Sequence, residues 1–163
     1  MLFNSYIFIF LFLPLALLLW HGANHFGKYK LAQVFLIGMS LWFYGYFHPA
    51  YLLIILASVF GNYLLSALME RFQMHKILGA CGIIFNLGLL FYFKYYDFFV
   101  ENVNQAFHLN WAVKNIALPL GISFFTFQQL AFLADRMQGK AEHYELADYM
   151  LFVTYFPQLV AGP

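Results

Sequence analysis

The run Ile77-Leu78-Gly79-Ala80-Cys81-Gly82-Ile83-Ile84-Phe85-Asn86-Leu87-Gly88-Leu89-Leu90-Phe91-Tyr92-Phe93 carries no charged residue. Arg71 and Lys76 stand before it, Lys94 and Asp97 after it. A helix that crosses a bilayer needs about 20 mostly apolar residues, and charges that bracket such a run without entering it mark its two ends. A soluble helix of this length would need a polar face, and this one has none.

The same pattern recurs on either side. Apolar runs are predicted at Tyr6 to Trp20, Leu31 to Phe47, Ala50 to Met69, Leu118 to Met137 and Leu146 to Phe156. Trp42 to Phe47 reads as an interfacial aromatic belt, and His48-Pro49 ends it. The composition agrees: of the 163 residues 64% are hydrophobic, 23% aromatic and only 9% charged, against roughly 25% charged in a soluble domain. The expected fold class is therefore all-α, a polytopic transmembrane protein of about six helices. No repeat, linker or low-complexity stretch divides the chain. The first run has no basic residue before it and no small-residue cleavage site after it, so it is read as a retained helix and not a signal peptide.

Basic residues set the expected orientation. Lys28, Lys30, Arg71, Lys76, Arg136 and Lys140 fall in the first, third and fifth loops, and Lys94 and Lys114 in the fourth. The odd loops are expected to be cytoplasmic, with Met1 outside. The net charge of +1 excludes a basic nucleic-acid-binding surface. Cys81 is the single cysteine, so no internal disulfide or cysteine-rich metal site forms, and it reads as a small residue at a helix contact. His21 and His25 are spaced for one helix face but lie in a loop-like stretch without a carboxylate. They read as interfacial polar residues, and neither a metal nor a cofactor is expected.

Between Asp97 and Lys114 the pattern weakens, and Asn102, Asn104, Gln105, His108 and Asn110 suggest a loop or a surface-lying helix. Lys94 can snorkel beside Asp97, one turn away. Asn62 and Asn86, inside apolar runs, read as interhelical hydrogen-bonding residues. In the fifth run Pro119 is placed in a first helical turn and Gly139 at the C-terminal cap. Seven residues is nearly two helical turns, so Gly121, Gln128 and Asp135 stack on one face. That stripe lines a polar cavity or pairs helices; the pattern leaves both open. Arg136 need not pair with its neighbour Asp135, which is expected to cap or pin the helix end near the interface.

Two segments carry a resemblance: Leu118-Pro119-Leu120-Gly121-Ile122-Ser123-Phe124-Phe125-Thr126-Phe127-Gln128 and Phe156-Pro157-Gln158-Leu159-Val160-Ala161-Gly162-Pro163. With Met1-Leu2-Phe3-Asn4-Ser5 and Phe93-Lys94-Tyr95-Tyr96-Asp97-Phe98-Phe99 in the same order, the chain resembles the membrane-bound O-acyltransferases. It looks most like the alginate O-acetyltransferase membrane-subunit branch. The resemblance implies a ring of helices around a tunnel, of which residues 1–163 would be the N-terminal part of one transmembrane acyltransferase domain. It implies transfer of an acyl group from a donor to a polysaccharide or lipid hydroxyl, in a bacterial inner membrane, with membrane lipid and other polysaccharide-modification proteins as partners. Gly121, Gln128 and Asp135 would line the tunnel. The family's catalytic histidine is expected beyond Pro163, so none of the histidines here is given that role. Phe125 and Phe132 stand where many members have tyrosine. A small transporter-like subunit and a non-catalytic scaffold are the alternatives.

Overall fold

The computed structural model describes residues 6–119, 121–139 and 144–161. Most of the described residues are helical, and there is no strand among them. Met1 to Ser5, Leu120, Lys140 and the closing Gly162-Pro163, all used above, lie outside them.

The helices follow the predicted order: α1 (Leu13–His25), entered through a π-helical turn at Phe8–Phe12, α2 (Tyr29–Phe47), α3 (Pro49–Phe72), α4 (His75–Leu90), α5 (Tyr96–Phe107), α6 (Ile122–Met137), α7 (Leu146–Thr154) and α8 (Phe156–Ala161). Phe8–His25, Pro49–Phe72 and the continuous stretch His75–Phe107 are long and apolar enough to cross a membrane. By contrast α6, with 16 residues, is about 24 Å long at 1.5 Å per residue, shorter than a hydrocarbon core of about 30 Å.

The breaks have local causes. His48 is extended (φ −163°, ψ 124°) because the residue before a proline is pushed out of the helical region. Pro49 then opens α3, where its missing N–H costs nothing. Gln73 takes a left-handed conformation (φ 56°) and its side chain donates to the carbonyl of Glu70 (2.9 Å), one of the orphan acceptors at a helix end. Gly139, with φ 67°, donates its N–H to Arg136 (3.2 Å), the expected C-terminal cap of α6.

Several boundaries differ from expectation. α1 runs on to His25, so His21 and His25 sit on helix, not in a loop, and both are exposed. The polar stretch after Asp97 stays helical to Phe107, with Asp97, Glu101, Asn104 and Gln105 recurring at helical spacing, and it ends when His108 turns left-handed (φ 52°). Pro119 precedes α6 and is not in its first turn. Gly121 is the N-cap, at φ 68°, a conformation that L side chains avoid. Pro157 does not end the last helix. A proline has no N–H to donate to the carbonyl four residues back, so the chain breaks at Tyr155 (ψ 107°) and Pro157 falls in the first turn of α8.

The chain forms two compact units, Met1–Tyr63 with Glu142–Pro163, and Leu64–Ala141. In the first, Phe12 is fully buried and its ring meets Phe156 edge-on at 5.0 Å and Phe43 at 5.8 Å. Phe43 in turn lies 5.5 Å from Phe156. Polar pairs tie α2 to α7: Lys30 Nζ to Glu145 (3.0 Å) and Gln33 Nε2 to Asp148 Oδ1 (2.6 Å). In the second unit the end of α3, α4 and α6 meet through small residues. A Cβ on Gly82 would lie 2.7 Å from Leu133 and 3.3 Å from Leu65, and one on Gly79 would collide with Met137. The two glycines let α6 come close, as in other membrane helix pairs. Cys81 takes no part in that contact. It is exposed, since it sits one residue off the face that the glycines define.

Candidate functional site

The two segments that carry the resemblance lie in different units, and each has its own surroundings. In the second unit α6 buries Ile122, Phe125, Thr126, Gln128, Gln129, Phe132, Leu133 and Arg136. Ile122, Gln129 and Arg136 are seven apart and form the centre of this buried face. It therefore falls one residue, or about 100°, from the stripe drawn through Gly121, Gln128 and Asp135. Gly121 is half-buried at the cap, Gln128 is buried and Asp135 is exposed. Asp135 makes no hydrogen bond or ion pair among the described residues. The expected pinning is made by Arg136.

Arg136, expected as a loop cation, is instead buried, its side chain only 9% exposed. Its Nε donates to Ser66 Oγ (2.7 Å), a terminal nitrogen pairs with Glu70 Oε1 (2.6 Å), and the guanidinium lies 5.8 Å from the centre of the Phe132 ring. Ser66 and Glu70 are four apart on α3, so one helix face presents both acceptors. A buried guanidinium needs such partners, because an unpaired one loses most of its solvation without return. Nothing local in the sequence marks this group. The one available signal was a serine and a glutamate four apart at the end of an apolar run.

The approach to α6 is held by α5 and the turn before it. The strap 108–119 runs back along α5. Asn104 Oδ1 accepts from the Trp111 N–H and its Nδ2 donates to the Trp111 carbonyl, both at 2.9 Å. Asp97 accepts from the N–H groups of Lys114 (2.9 Å) and Ile116 (2.7 Å). Lys114 Nζ lies 5.3 Å and 5.0 Å from the ring centres of Tyr92 and Tyr96. Lys94 does not pair with Asp97, whose carboxylate the strap occupies. Its Nζ donates to Ser123 Oγ (3.1 Å), in the first turn of α6. Asn62 and Asn86 each donate to the carbonyl four residues back, those of Ser58 and Gly82, at 2.8 Å.

In the first unit, Phe156, Pro157 and Gln158 border a cavity of about 660 Å³. Leu13, Leu17, Trp20 and Leu36 give it apolar walls, and His21, Asp148 and Gln158 add polar groups. Its size is that of a small-molecule site. Among the described residues no group of His, Cys, Asp and Glu could hold a metal.

These features define an all-helical membrane protein with two motif-bearing regions. Over its whole length the chain is similar to bacterial O-acetyltransferases. It is 34% identical to a peptidoglycan O-acetyltransferase of Helicobacter pylori, and 32% identical to probable alginate O-acetylases of Pseudomonas aeruginosa and Azotobacter vinelandii. All of the chain is aligned in each case, but only 36%, 32% and 34% of the respective relatives. The chain thus spans about a third of the length of these proteins. No protein-family model matches it, and no solved structure does. The resemblance drawn from the motifs is thereby upheld at the level of sequence: the chain is a relative of these O-acetyltransferases, corresponding to a segment of each.

Proposed function

We propose that residues 1–163 act as the N-terminal part of a membrane-bound O-acyltransferase domain that passes an acetyl group to a hydroxyl of an extracellular polysaccharide. The observation that carries this reading is the alignment of the entire chain with O-acetyltransferases of two polysaccharides, on a chain with three helices suited to a membrane. The acyl donor reaches the site from one side of the bacterial inner membrane and the polysaccharide from the other, with Met1 outside. The catalytic base is a histidine carried by a segment beyond Pro163, as hydroxyl activation requires a positioned base. Gly121, Gln128 and Asp135 line the path. Other polysaccharide-modification proteins work beside it.

The test is to express the complete open reading frame containing this chain in a host without polysaccharide O-acetylation, and to measure ester-linked acetate on its envelope polysaccharides. Ester acetate above background is expected. Its absence, with the protein present in the membrane, overturns the reading. Within an active protein, Gln128→Ala should lower transfer at unchanged abundance. If Asp135→Asn leaves both rate and abundance unaltered, Asp135 leaves the path.

A further inference from the structure

The stretch His75–Phe107 has 33 residues. At 1.5 Å per residue it is about 50 Å long, roughly 20 Å more than a hydrocarbon core. Its first part, from His75 to Lys94, is about 30 Å long and suffices to cross. α5 therefore starts where the bilayer ends. The sequence changes there too. Tyr92, Tyr95 and Tyr96 cluster around Lys94, and tyrosine is a residue type that gathers at a membrane–water boundary. The backbone changes at the same place, with a π-helical turn at Phe91–Tyr95 and Tyr95 at φ −115°, ψ −9°. Such turns are where a helix axis is able to bend.

The sides of α5 differ. Asp97 and Asn104 hold the strap, and Val100 is buried. Phe99, Val103 and Phe107, spaced four apart, share another side. Phe99 is 49% and Phe107 71% exposed. That side is continuous with the membrane-spanning part: the Phe99 ring meets the exposed Phe91 of the π-turn at 6.0 Å, edge to face.

We propose that α5 lies in the lipid headgroup layer, with Phe99, Val103 and Phe107 at the acyl boundary and Glu101 and Gln105 toward water. Its partner is the lipid surface itself. The attachment is apolar and not charge-led: residues 96–107 contain no Lys or Arg, and their two acids, Asp97 and Glu101, offset the two exposed cations beside the helix, Lys94 and Lys114. An anionic leaflet would attract a basic helix and gives this one no added hold.

The experiment places single spin labels at positions 99, 101, 103, 105 and 107 in the full protein with Cys81 and every cysteine outside residues 1–163 replaced by alanine, in nanodiscs of zwitterionic phosphatidylcholine. Collisions with oxygen, which concentrates in lipid, are compared with those of a water-soluble nickel chelate. Labels at 99, 103 and 107 should favour oxygen several-fold and those at 101 and 105 the chelate. A third of phosphatidylglycerol in the disc should leave the pattern unchanged. Chelate access at all five positions would put α5 in water and overturn the proposal. Protection of 99, 103 and 107 from both probes would mean that protein covers this side, and would also overturn it. Deeper burial on adding phosphatidylglycerol would overturn the apolar account of the attachment. If labels at the phenylalanine positions prevent accumulation, Val103→Cys, the smaller change on the same side, carries the comparison with 101 and 105.

Discussion

The two units hold their helices together by different means. In the first, helices distant in sequence meet through large aromatic rings: Phe12 and Phe43 close on Phe156, with polar pairs only toward the ends of α2 and α7. In the second, α4 and α6 touch where side chains are missing, at Gly79 and Gly82, and α6 is tied to α3 by Arg136 between Ser66 and Glu70. Lipid tails are as apolar as leucine, so burying apolar surface between membrane helices gains little by itself. What remains is the fit of surfaces and the satisfaction of polar groups. The first unit relies on the fit of many ring contacts, the second on close approach and one buried charge.

This contrast predicts an order of sensitivities. Arg136→Ala should destabilise most, by about 3 kcal/mol, the low end for breaking a buried pair because Glu70 retains 40% side-chain exposure. Reversible unfolding in mixed micelles would measure it. The double variant with Glu70→Ala should lose clearly less than the sum of the two singles, and full additivity would dissolve the pair as an explanation. Phe12→Ala should follow closely, at roughly 3 kcal/mol for an emptied aromatic site. A loss under about 1 kcal/mol would mean the ring contacts of the first unit are replaceable by lipid.

Gly82→Val comes next, at about 1–3 kcal/mol, the usual range for overpacking. Leu133 must yield to the new side chain, so pairing it with Leu133→Ala should restore part of the loss. Asp97→Asn should cost about 1–2 kcal/mol, since an amide NH₂ would face one of the two backbone N–H groups now bound. Its sharper readout is limited proteolysis: cleavage within 108–119 should rise while the α3–α4–α6 contact holds. Lys30→Ala should change little, roughly 0.5 kcal/mol or less, because both partners of its ion pair with Glu145 are well exposed and such pairs are weak.

Helix order was readable because a bilayer imposes a length and an apolar composition on each crossing, and both are local properties of the chain. The breaks at His48-Pro49 and Gly139 were readable for a similar reason, since proline and glycine act on their immediate neighbours. α5 was harder to assign. Its amides look like loop residues in a running average, although Asn104 and Gln105 fall on the helix side that Asp97 and Glu101 define. The candidate site was less legible still. The heptad spacing of the α6 stripe is real, but spacing alone does not say which of two stripes a residue apart turns inward. The contacts of Ser66, Glu70, Gly79 and Gly82 turn Ile122, Gln129 and Arg136 in, and leave Asp135 out.

By itself, then, the sequence determined that this is a helical membrane protein, where its helices lie, and which O-acetyltransferases it resembles. Those properties rest on hydropathy, on backbone-restricting residues and on short motifs, all of which act over a few turns of chain. Only the tertiary structure decided that Arg136 is a buried, paired charge and not a loop cation, that Asp97 binds the strap and not Lys94, and that Lys94 reaches Ser123. A charged side chain chooses its partner by distance in space, and residues far apart along the chain become neighbours only when the helices have docked.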